Sequence, residues 1–397
     1  MWPVEPAVSV SLRGLSIVAL TRQTELASGT WRKPAREYRV GVEEELVLLD
    51  PETLAPAAAI ESLITSGLDQ GPAKRELMQC QVEINTGACQ DAEQVREQLA
   101  ELRGQLRRDA SIANVLVAAT GTHPLAEAED QLITTGDRYR ELLYALRFAA
   151  RRTLCFGVHV HVSVDGFEKA IQVMEAIVDD LPVLLALSAS SPFYAGEETG
   201  LASTRLVILQ NMPRVGIPPA FKDSREFEAT VDRLTRAGAI PDYTYLWWDV
   251  RPQQRLGTVE IRIMDVQPRV EDSAALAGLV QALVRHYGKL YDRGEGFPKA
   301  NRLVVNENRW LAIRHGLRAR MVTGSGDAVG VRDLVSDLLE RVEDDAAALG
   351  NEWVLDRVSA ILMDGTSADR QLRLFRSGQP PEEILRGLVA ETVGVYD

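Results

Sequence analysis

The stretch YRVGVEEELVLL, which spans Tyr38–Leu49, alternates apolar and polar side chains. Successive side chains of a β-strand point to opposite faces of its sheet. The pattern therefore predicts a strand with Val40 and Val42 on an apolar face and Glu43 and Glu45 on a polar face. Glu44 projects into the apolar face, and the pattern offers no reason for a carboxylate there.

Three more segments alternate in the same way and are predicted to be strands. They are Met78–Asn85, Phe156–Val164 and Thr258–Val266. Their apolar faces carry mainly Val and Ile, and their polar faces carry Gln81, Glu83, Asn85, Gly157, His159, His161, Ser163, Thr258, Glu260 and Arg262. Clustered carboxylates and imidazoles would repel one another without a cation. Oxygen ligands with one nitrogen suit Mg²⁺ or Mn²⁺ better than a structural zinc ion.

Helical patterns lie between and after these strands. Asp91 is predicted to be an N-cap with Gln94 as its capping-box partner, and Val95, Leu99, Leu102 and Leu106 follow at helical spacing. Further helices are predicted at Glu168–Ser188 with a kink at Pro182, at Ser273–Tyr291, at Val331–Leu349 ending before Gly350, and at Pro381–Thr392. Residues 192–256 are predicted to form long active-site loops. The order of elements indicates an α+β fold with a mostly antiparallel sheet.

Composition excludes some classes of protein. The 397 residues carry a formal net charge of −13, which argues against general nucleic-acid binding. No apolar run approaches the ~20 residues that span a bilayer. The three cysteines, Cys80, Cys89 and Cys155, lack metal-ligand spacing and indicate a reduced, cytoplasmic setting. Residues 1–36 lack periodicity and are predicted to be a flexible extension, and residues 37–397 a catalytic domain.

Taken together, the motifs resemble the type 2 glutamate–cysteine ligase family, in particular its YbdK-like branch of carboxylate–amine ligases. The resemblance covers about Arg39 to Gly316 and weakens after that. The resembling stretches are Val40–Glu45, Gln81–Gly87, Phe156–Val162, Leu187–Pro192, Trp248–Pro252, Thr258–Arg262, Asn308–Trp310 and Arg314–Gly316.

This resemblance implies a fold like the catalytic domain of glutamine synthetase, in which a curved, mostly antiparallel sheet backed by helices forms a funnel for metals and ATP. It implies that Glu43, His159 and Glu260 bind one metal ion, and that Glu45 and Glu83 bind another with Glu76 as a further contributor. Arg262 would face the transferred phosphoryl group, and His161, Asn308 and Arg309 would contact the nucleotide. The resemblance also implies a homodimer and small-molecule substrates, by default glutamate and cysteine.

Other residues have two readings each. Arg205 is predicted to bind a substrate carboxylate, or else to be a solvated surface residue. Arg138, in Asp137-Arg138-Tyr139, would cover the site or only begin a helix. Arg251 would contact substrate, or only pair with Asp249. Trp247 and Trp248 would stack on adenine or fill the core.

Two other functions stay open from the sequence. A metal-dependent hydrolase could use His159 and His161 with an activated water, but it would call for zinc and a third histidine among the five in the chain. A non-catalytic regulator could keep the fold and bind a nucleotide or a partner. The ligand-type residues on all four strands favour the ligase, which would activate a carboxylate as an acyl phosphate with ATP.

Overall fold

The computed structural model describes residues 31–65, 73–297 and 299–394. A seven-stranded antiparallel sheet forms its centre. Its strands are β1 (Val40–Leu49), β2 (Ala73–Arg75), β3 (Gln81–Asn85), β4 (Leu116–Ala118), β5 (Val158–Ser163), β6 (Val250–Gln253) and β7 (Thr258–Ile261). The spatial order is β6-β7-β5-β1-β3-β2, and β4 pairs with the end of β1. The four predicted strands are confirmed, although each is shorter than predicted.

Helices surround this sheet. Within the described residues they are α1 (Ile60–Thr65), α2 (Ala92–Ile112), α3 (Asp137–Leu146), α4 (Phe167–Ile177), α5 (Leu181–Ser188), α6 (Arg205–Leu209), α7 (Ser224–Arg236), α8 (Val270–Asp292), α9 (Arg302–His315), α10 (Val331–Leu349), α11 (Glu352–Asp364), α12 (Ser367–Arg376) and α13 (Pro381–Thr392). Short strand pairs occur at 193–194 with 197–198, 215–216 with 247–248, and 320–322 with 328–330. No described helix is both long and apolar enough to cross a membrane.

Local signals explain several boundaries. Asp91 caps α2 by accepting a hydrogen bond from Gln94 N, as predicted. The Gln94 side chain accepts from Gln90 N instead of Asp91 N, so the predicted capping box is wrong in that partner. Pro182 lies in the first turn of α5, after a 3₁₀ turn that separates α5 from α4. Gly350 ends α10 in the left-handed region, with φ of 76°.

The prediction of long loops over residues 192–256 is wrong in part, because α7 lies there. Its N-cap Asp223 accepts from Glu226 N. Phe227 and Val231 of α7 are buried, and Leu234 continues the same apolar stripe at helical spacing, so the signal for this helix was present in the sequence and was overlooked.

The apolar face of the sheet packs on α2, α4 and α8, which carry much of the core. The three cysteines are free and buried. Of the predicted extension, residues 1–30 lie outside the described residues. Trp31 stacks on Phe167 and donates from Nε1 to Val164 O at 3.0 Å, so the described part of the extension contacts the domain. The domain boundary near residue 37 stays a prediction.

Candidate active site

Strand pairing brings the predicted polar residues together on one face of the sheet. On β1, Glu43 lies opposite His159 of β5, and Glu45 lies opposite Glu83 of β3. Glu260 of β7 lies opposite His161. Directly opposed residues of an antiparallel pair have close side chains. The sheet order therefore concentrates acidic and imidazole groups over four adjacent strands.

Glu43, His161 and Glu260 form the tightest cluster. One ligand-type atom from each lies within 4.8 Å of the others. His161 Nδ1 lies 3.1 Å from Thr258 Oγ1, and its Nε2 lies 3.5 Å from Glu43 Oε1. That Nε2 is buried and has no hydrogen-bond partner among the residues described. An orphaned imidazole nitrogen between two carboxylates fits a divalent cation.

His159 is the histidine that the resemblance assigns to this metal. Its Nδ1 lies 3.3 Å from Glu43 Oε2 and 3.4 Å from Arg262 Nη1. Both imidazoles therefore contact Glu43, one at each carboxylate oxygen. The geometry makes His161 a candidate ligand that the sequence had assigned to the nucleotide, and the assignment of His159 stays a prediction.

Charges within the cluster are mutually compensated. Burial would raise the pKa of Glu43, but the adjacent imidazoles of His159 and His161 hold it well below its usual range. Burial would likewise raise the pKa of Glu260, but Arg251 and Arg262 lower it. Burial alone would lower the pKa of His161, and the carboxylates of Glu260 and Glu43 raise it instead.

A second group of carboxylates lies toward β2 and β3. Glu45 accepts a hydrogen bond from Gly157 N at 2.6 Å. Glu83 Oε1 accepts from Lys74 Nζ at 3.3 Å and from Asn85 Nδ2 at 2.9 Å. Burial and the neighbouring carboxylates of Glu83 and Glu45 raise the pKa of Glu76 well above its usual range. The three predicted ligands of a second ion are thus neighbours, and an ion there would relieve their repulsion.

Two arginines bracket Glu260. Arg251 donates from Nε to Glu260 Oε2 at 2.7 Å, and its Nη1 donates to Thr244 O and Leu246 O. Arg262 donates from Nη1 to Glu260 Oε1. The alternative that Arg251 pairs with Asp249 is wrong, because Asp249 pairs with Arg309. Arg251 holds a candidate ligand, and its substrate role stays a prediction.

Arg205 is buried on the polar-face side of Gly157 rather than at the surface. It is 3% exposed, so the reading as a solvated surface residue is wrong. It donates to Ile263 O and Arg262 O at 3.2 Å, and Asp265 lies 3.8 Å away. A Cβ at Gly157 would come within 2.1 Å of its guanidinium, so the glycine makes room for it. Arg205 therefore supports the backbone that carries Arg262.

The remaining candidates lie at different places. Arg138 is exposed on α3, and its positive charge opposes the rise in the pKa of Glu76 that burial causes. Asn308 exchanges hydrogen bonds with the backbone of Val322, and Arg309 is buried against Asp249 at 2.6 Å. Neither lines the cavity described next, and their nucleotide role stays a prediction. Trp248 packs on Phe221 and Phe227, which confirms its reading as a core residue.

A cavity of about 740 Å³ opens beside Glu43 and His161. Its wall includes Arg32, Arg36, Arg39 and Lys74, with Gly41, Gly87, Ser163 and Thr258. Four cationic residues beside a carboxylate cluster make a place where polyanions are attracted. Sequence reasoning missed these cations, because three come from the segment before β1 and Lys74 comes from β2. The signal available was the spacing of Arg32, Arg36 and Arg39 just ahead of the first strand.

Known proteins are similar to the chain over most of its length. The profile of glutamate–cysteine ligase family 2 matches residues 39–391. A Sorangium cellulosum protein named "Putative glutamate–cysteine ligase 2" is 39% identical over 361 residues, which are 90% of this chain and 96% of that protein. A Herpetosiphon aurantiacus protein of the same name is 35% identical and covers 91% of this chain and 94% of its own.

Solved structures share the fold. A Francisella tularensis glutamate–cysteine ligase in complex with AMP has a TM-score of 0.63 at 13% identity, covering 92% of this chain and 91% of that one. A bifunctional glutathione synthetase from Pasteurella multocida has a TM-score of 0.67 at 12% identity, and the match covers 95% of this chain and 54% of that one. The α+β prediction is thereby confirmed. On the profile match and the full-length relatives, this chain belongs to glutamate–cysteine ligase family 2.

Proposed function

We propose that this protein is an ATP- and divalent-metal-dependent ligase that joins a carboxylate to an amine through an acyl phosphate. One observation carries the proposal: the cluster of Glu43, His161 and Glu260 lies beside Arg262 and opens to a cavity lined by cations. Carboxylates for metal and cations for phosphate, side by side, are the parts that phosphoryl transfer needs.

Each group of residues has a distinct part in this proposal. Glu43, Glu260 and a histidine hold one Mg²⁺ or Mn²⁺, and Glu45, Glu83 and Glu76 hold another. Bound divalent ions neutralise phosphate oxygens during transfer. Arg36, Arg39 and Lys74 attract the nucleotide phosphates from the cavity wall, which explains how a chain of net charge −13 accepts ATP.

The proposed reaction has two steps. A carboxylate oxygen of the first substrate attacks the γ-phosphorus, the bond to the β–γ bridging oxygen breaks, and ADP leaves. Arg262, fixed at the edge of the cluster, donates to the γ-phosphoryl oxygens as charge builds there. The amine nitrogen then attacks the acyl carbon, loses a proton and displaces phosphate.

Glutamate and cysteine are the proposed substrates because the relatives carry that activity in their names. No described residue at the site is tied to recognition of a thiol. Weak activity with cysteine is part of the proposal, and the panel of amines tests other acceptors. The homodimer and the cytoplasmic location stay predictions.

The hydrolase alternative requires a third imidazole, and the other three histidines make their contacts elsewhere. His123 Nε2 lies 2.8 Å from Leu54 O, and His286 Nδ1 lies 3.1 Å from Asp345 Oδ2. His315 is the last residue of α9, where burial and the charges of Arg314 and Arg318 lower its pKa. The two imidazoles of the site also have arginine neighbours that suit phosphate rather than an activated water.

The test is ADP release and amide formation by the purified full chain, with ATP, glutamate and a panel of amines. We expect turnover only when ATP and Mg²⁺ or Mn²⁺ are both present, and amide product in amounts equal to ADP. Glu43→Gln serves as the inactive reference. Amide formation or cleavage at full rate without ATP, or in chelator, would refute the proposal.

A further inference from the structure

A buried ion pair lies behind the sheet, on the face opposite to the candidate metal ligands. Glu44 is fully buried and Arg103 of α2 is 3% exposed. Arg103 donates from Nε to Glu44 Oε2 at 2.8 Å and from Nη2 to Oε1 at 2.7 Å. Ser273 of α8 donates from Oγ to the same Oε1 at 2.5 Å. Two helices therefore hold this one carboxylate in a single orientation.

The same guanidinium also reaches the segment that follows β7. Arg103 Nη1 donates to Pro268 O at 2.6 Å, and Nη2 donates to Gln267 O at 2.7 Å. The chain before Gln267 runs along β5, with hydrogen bonds from Val158 N to Met264 O and from Val266 N to Phe156 O. Arg103 therefore connects β1 with the continuation of β7, across β5.

These three strands carry the tightest ligand cluster. Glu43 lies on β1, His161 on β5 and Glu260 on β7, and Glu44 is the residue between Glu43 and Glu45. A twist or slide of β1 would move both neighbouring carboxylates, because adjacent residues of a strand are rigidly related through the backbone. The contacts behind the sheet thus act on the geometry of the face in front.

We propose that Glu44 and Arg103 are positioning residues, which set the spacing of the metal-binding carboxylates from behind the sheet. This inference rests on the proposed metal site. A bidentate guanidinium–carboxylate pair fixes direction as well as distance, which an apolar pair of the same size would not do. Buried ion pairs are weak as sources of stability, so stability alone does not account for a pair at this position.

The first test measures binding of Mn²⁺ alone to the full chain, without nucleotide, by the electron paramagnetic resonance signal of free Mn²⁺. Glu44→Gln keeps the shape of the side chain and removes its charge. We expect Mn²⁺ binding to weaken by about tenfold, which is the usual effect of disturbing residues that orient metal ligands. Ser273→Ala removes one hydrogen bond, and we expect a smaller change in the same direction. Wild-type affinity in both variants would overturn the inference.

Asp345→Asn is the matched control. Asp345 is a buried carboxylate on α10 whose partners Arg285, His286 and Lys289 all lie on α8. We expect this variant to lose stability as Glu44→Gln does and to keep its Mn²⁺ affinity. Weakened binding in the control to the same degree would mean that general loosening explains the effect, and would overturn the inference.

A double variant separates positioning from stability. Glu44→Leu with Arg103→Met removes both charges and so leaves no unpaired buried charge, although Pro268 O, Gln267 O and Ser273 Oγ lose these partners. We expect stability above that of Glu44→Gln and Mn²⁺ affinity that stays low. Recovery of both would contradict a positioning role. Because ATP is absent throughout, a wild-type protein that binds Mn²⁺ but forms no amide would refute the ligase proposal alone.

Discussion

Arg262 lies 3.4 Å from His159 Nδ1 and shares Glu260 with Arg251, so its guanidinium faces the centre of the ligand cluster. We expect Arg262→Lys to lower turnover by about 10²-fold or more, on the order of 3 kcal/mol, as when one donor to a transition state is removed. The Kd for ATP should change much less, because a lysine still contributes a positive charge. Steady-state turnover and ATP affinity of this variant measure both effects.

The opposite result is equally informative. If Arg262 only offsets the charge of Glu260, lysine should replace it at a cost of about 1 kcal/mol or less, as for a screened ion pair. A near-wild-type rate would remove Arg262 from the catalytic residues. Arg255→Lys is a suitable reference, because Arg255 pairs with Asp242 at a half-exposed position.

Glu43 and Glu260 should differ in what their loss does to the fold. Both Glu43→Gln and Glu260→Gln should abolish turnover, because each removes the charge of a proposed metal ligand. Glu260 is 1% exposed in its side chain and is held by two guanidinium groups, whereas Glu43 is 22% exposed and contacts imidazoles. Neutralising Glu260 leaves buried cations unpaired, at a cost of about 3 kcal/mol or more. Urea unfolding of both variants measures the difference, and equal stabilities would contradict this account of Glu260.

His123 should make stability depend on pH. Its Nε2 contacts Leu54 O, and its Nδ1 accepts from Leu125 N and Ala126 N, which is the neutral form. Burial lowers its pKa to about 4. The unfolded chain binds the proton near pH 6.5, so this stabilisation is present above pH 6.5 and falls by about 3 kcal/mol as the pH drops toward 4.

The His123→Asn variant isolates that contribution, since Asn keeps an acceptor near Nδ1 and cannot titrate. The free energy of unfolding of the wild type should exceed that of the variant most at pH 7, and the gap should narrow on acidification. Chemical denaturation at pH 7, 5.5 and 4.5 measures the gap. A constant gap across this range would show that His123 does not titrate as expected.

At the scale of elements, the alternation of apolar and polar residues along the strands predicted most of what the sequence could predict about the candidate site. The pairs Glu43–His159 and Glu45–Glu83 follow from four periodic segments, because one face of each had to be buried. Alternation could not explain Glu44, a carboxylate on the apolar face. Its partner Arg103 lies 59 residues away on α2, and no local pattern predicts that pair. The helix α7 was missed although its signals are local, because Asp223 caps it and Phe227, Val231 and Leu234 follow at helical spacing.

The segment Trp31–Arg36 should matter more than its lack of periodicity suggests. Arg32 N donates to Gln254 O at 3.0 Å, and Arg32, Pro34 and Arg36 line the cavity. We expect removal of residues 1–30 to leave activity unchanged, and removal of residues 1–36 to raise the KM for ATP by about tenfold, equivalent to about 1.4 kcal/mol. Kinetics of the two truncated proteins give the comparison. Equal KM values would mean that the segment has no part in nucleotide binding.

For the whole molecule, the ligand carboxylates could be predicted and the cavity could not. The carboxylates repeat along strands, whereas Arg36, Arg39 and Lys74 meet only after the chain has folded. The net charge of −13 argued only against general nucleic-acid binding, and composition gave no sign of these clustered cations. Net charge describes the molecule at a distance, and the wall of one cavity can carry the opposite sign.

Divalent metal alone, without substrates, should stabilise the intact protein. A ligand that binds only the folded state adds RT ln(1 + [L]/Kd), about 2.7 kcal/mol at a hundredfold excess over Kd. For a domain of this size that raises the Tm by on the order of 4 °C. Glu43→Gln should show a much smaller rise, because the cluster loses a charged ligand. Thermal unfolding in Mg²⁺, in Mn²⁺ and in chelator measures it. An equal rise in both proteins would mean that the ion binds elsewhere on this acidic chain and not at the sheet.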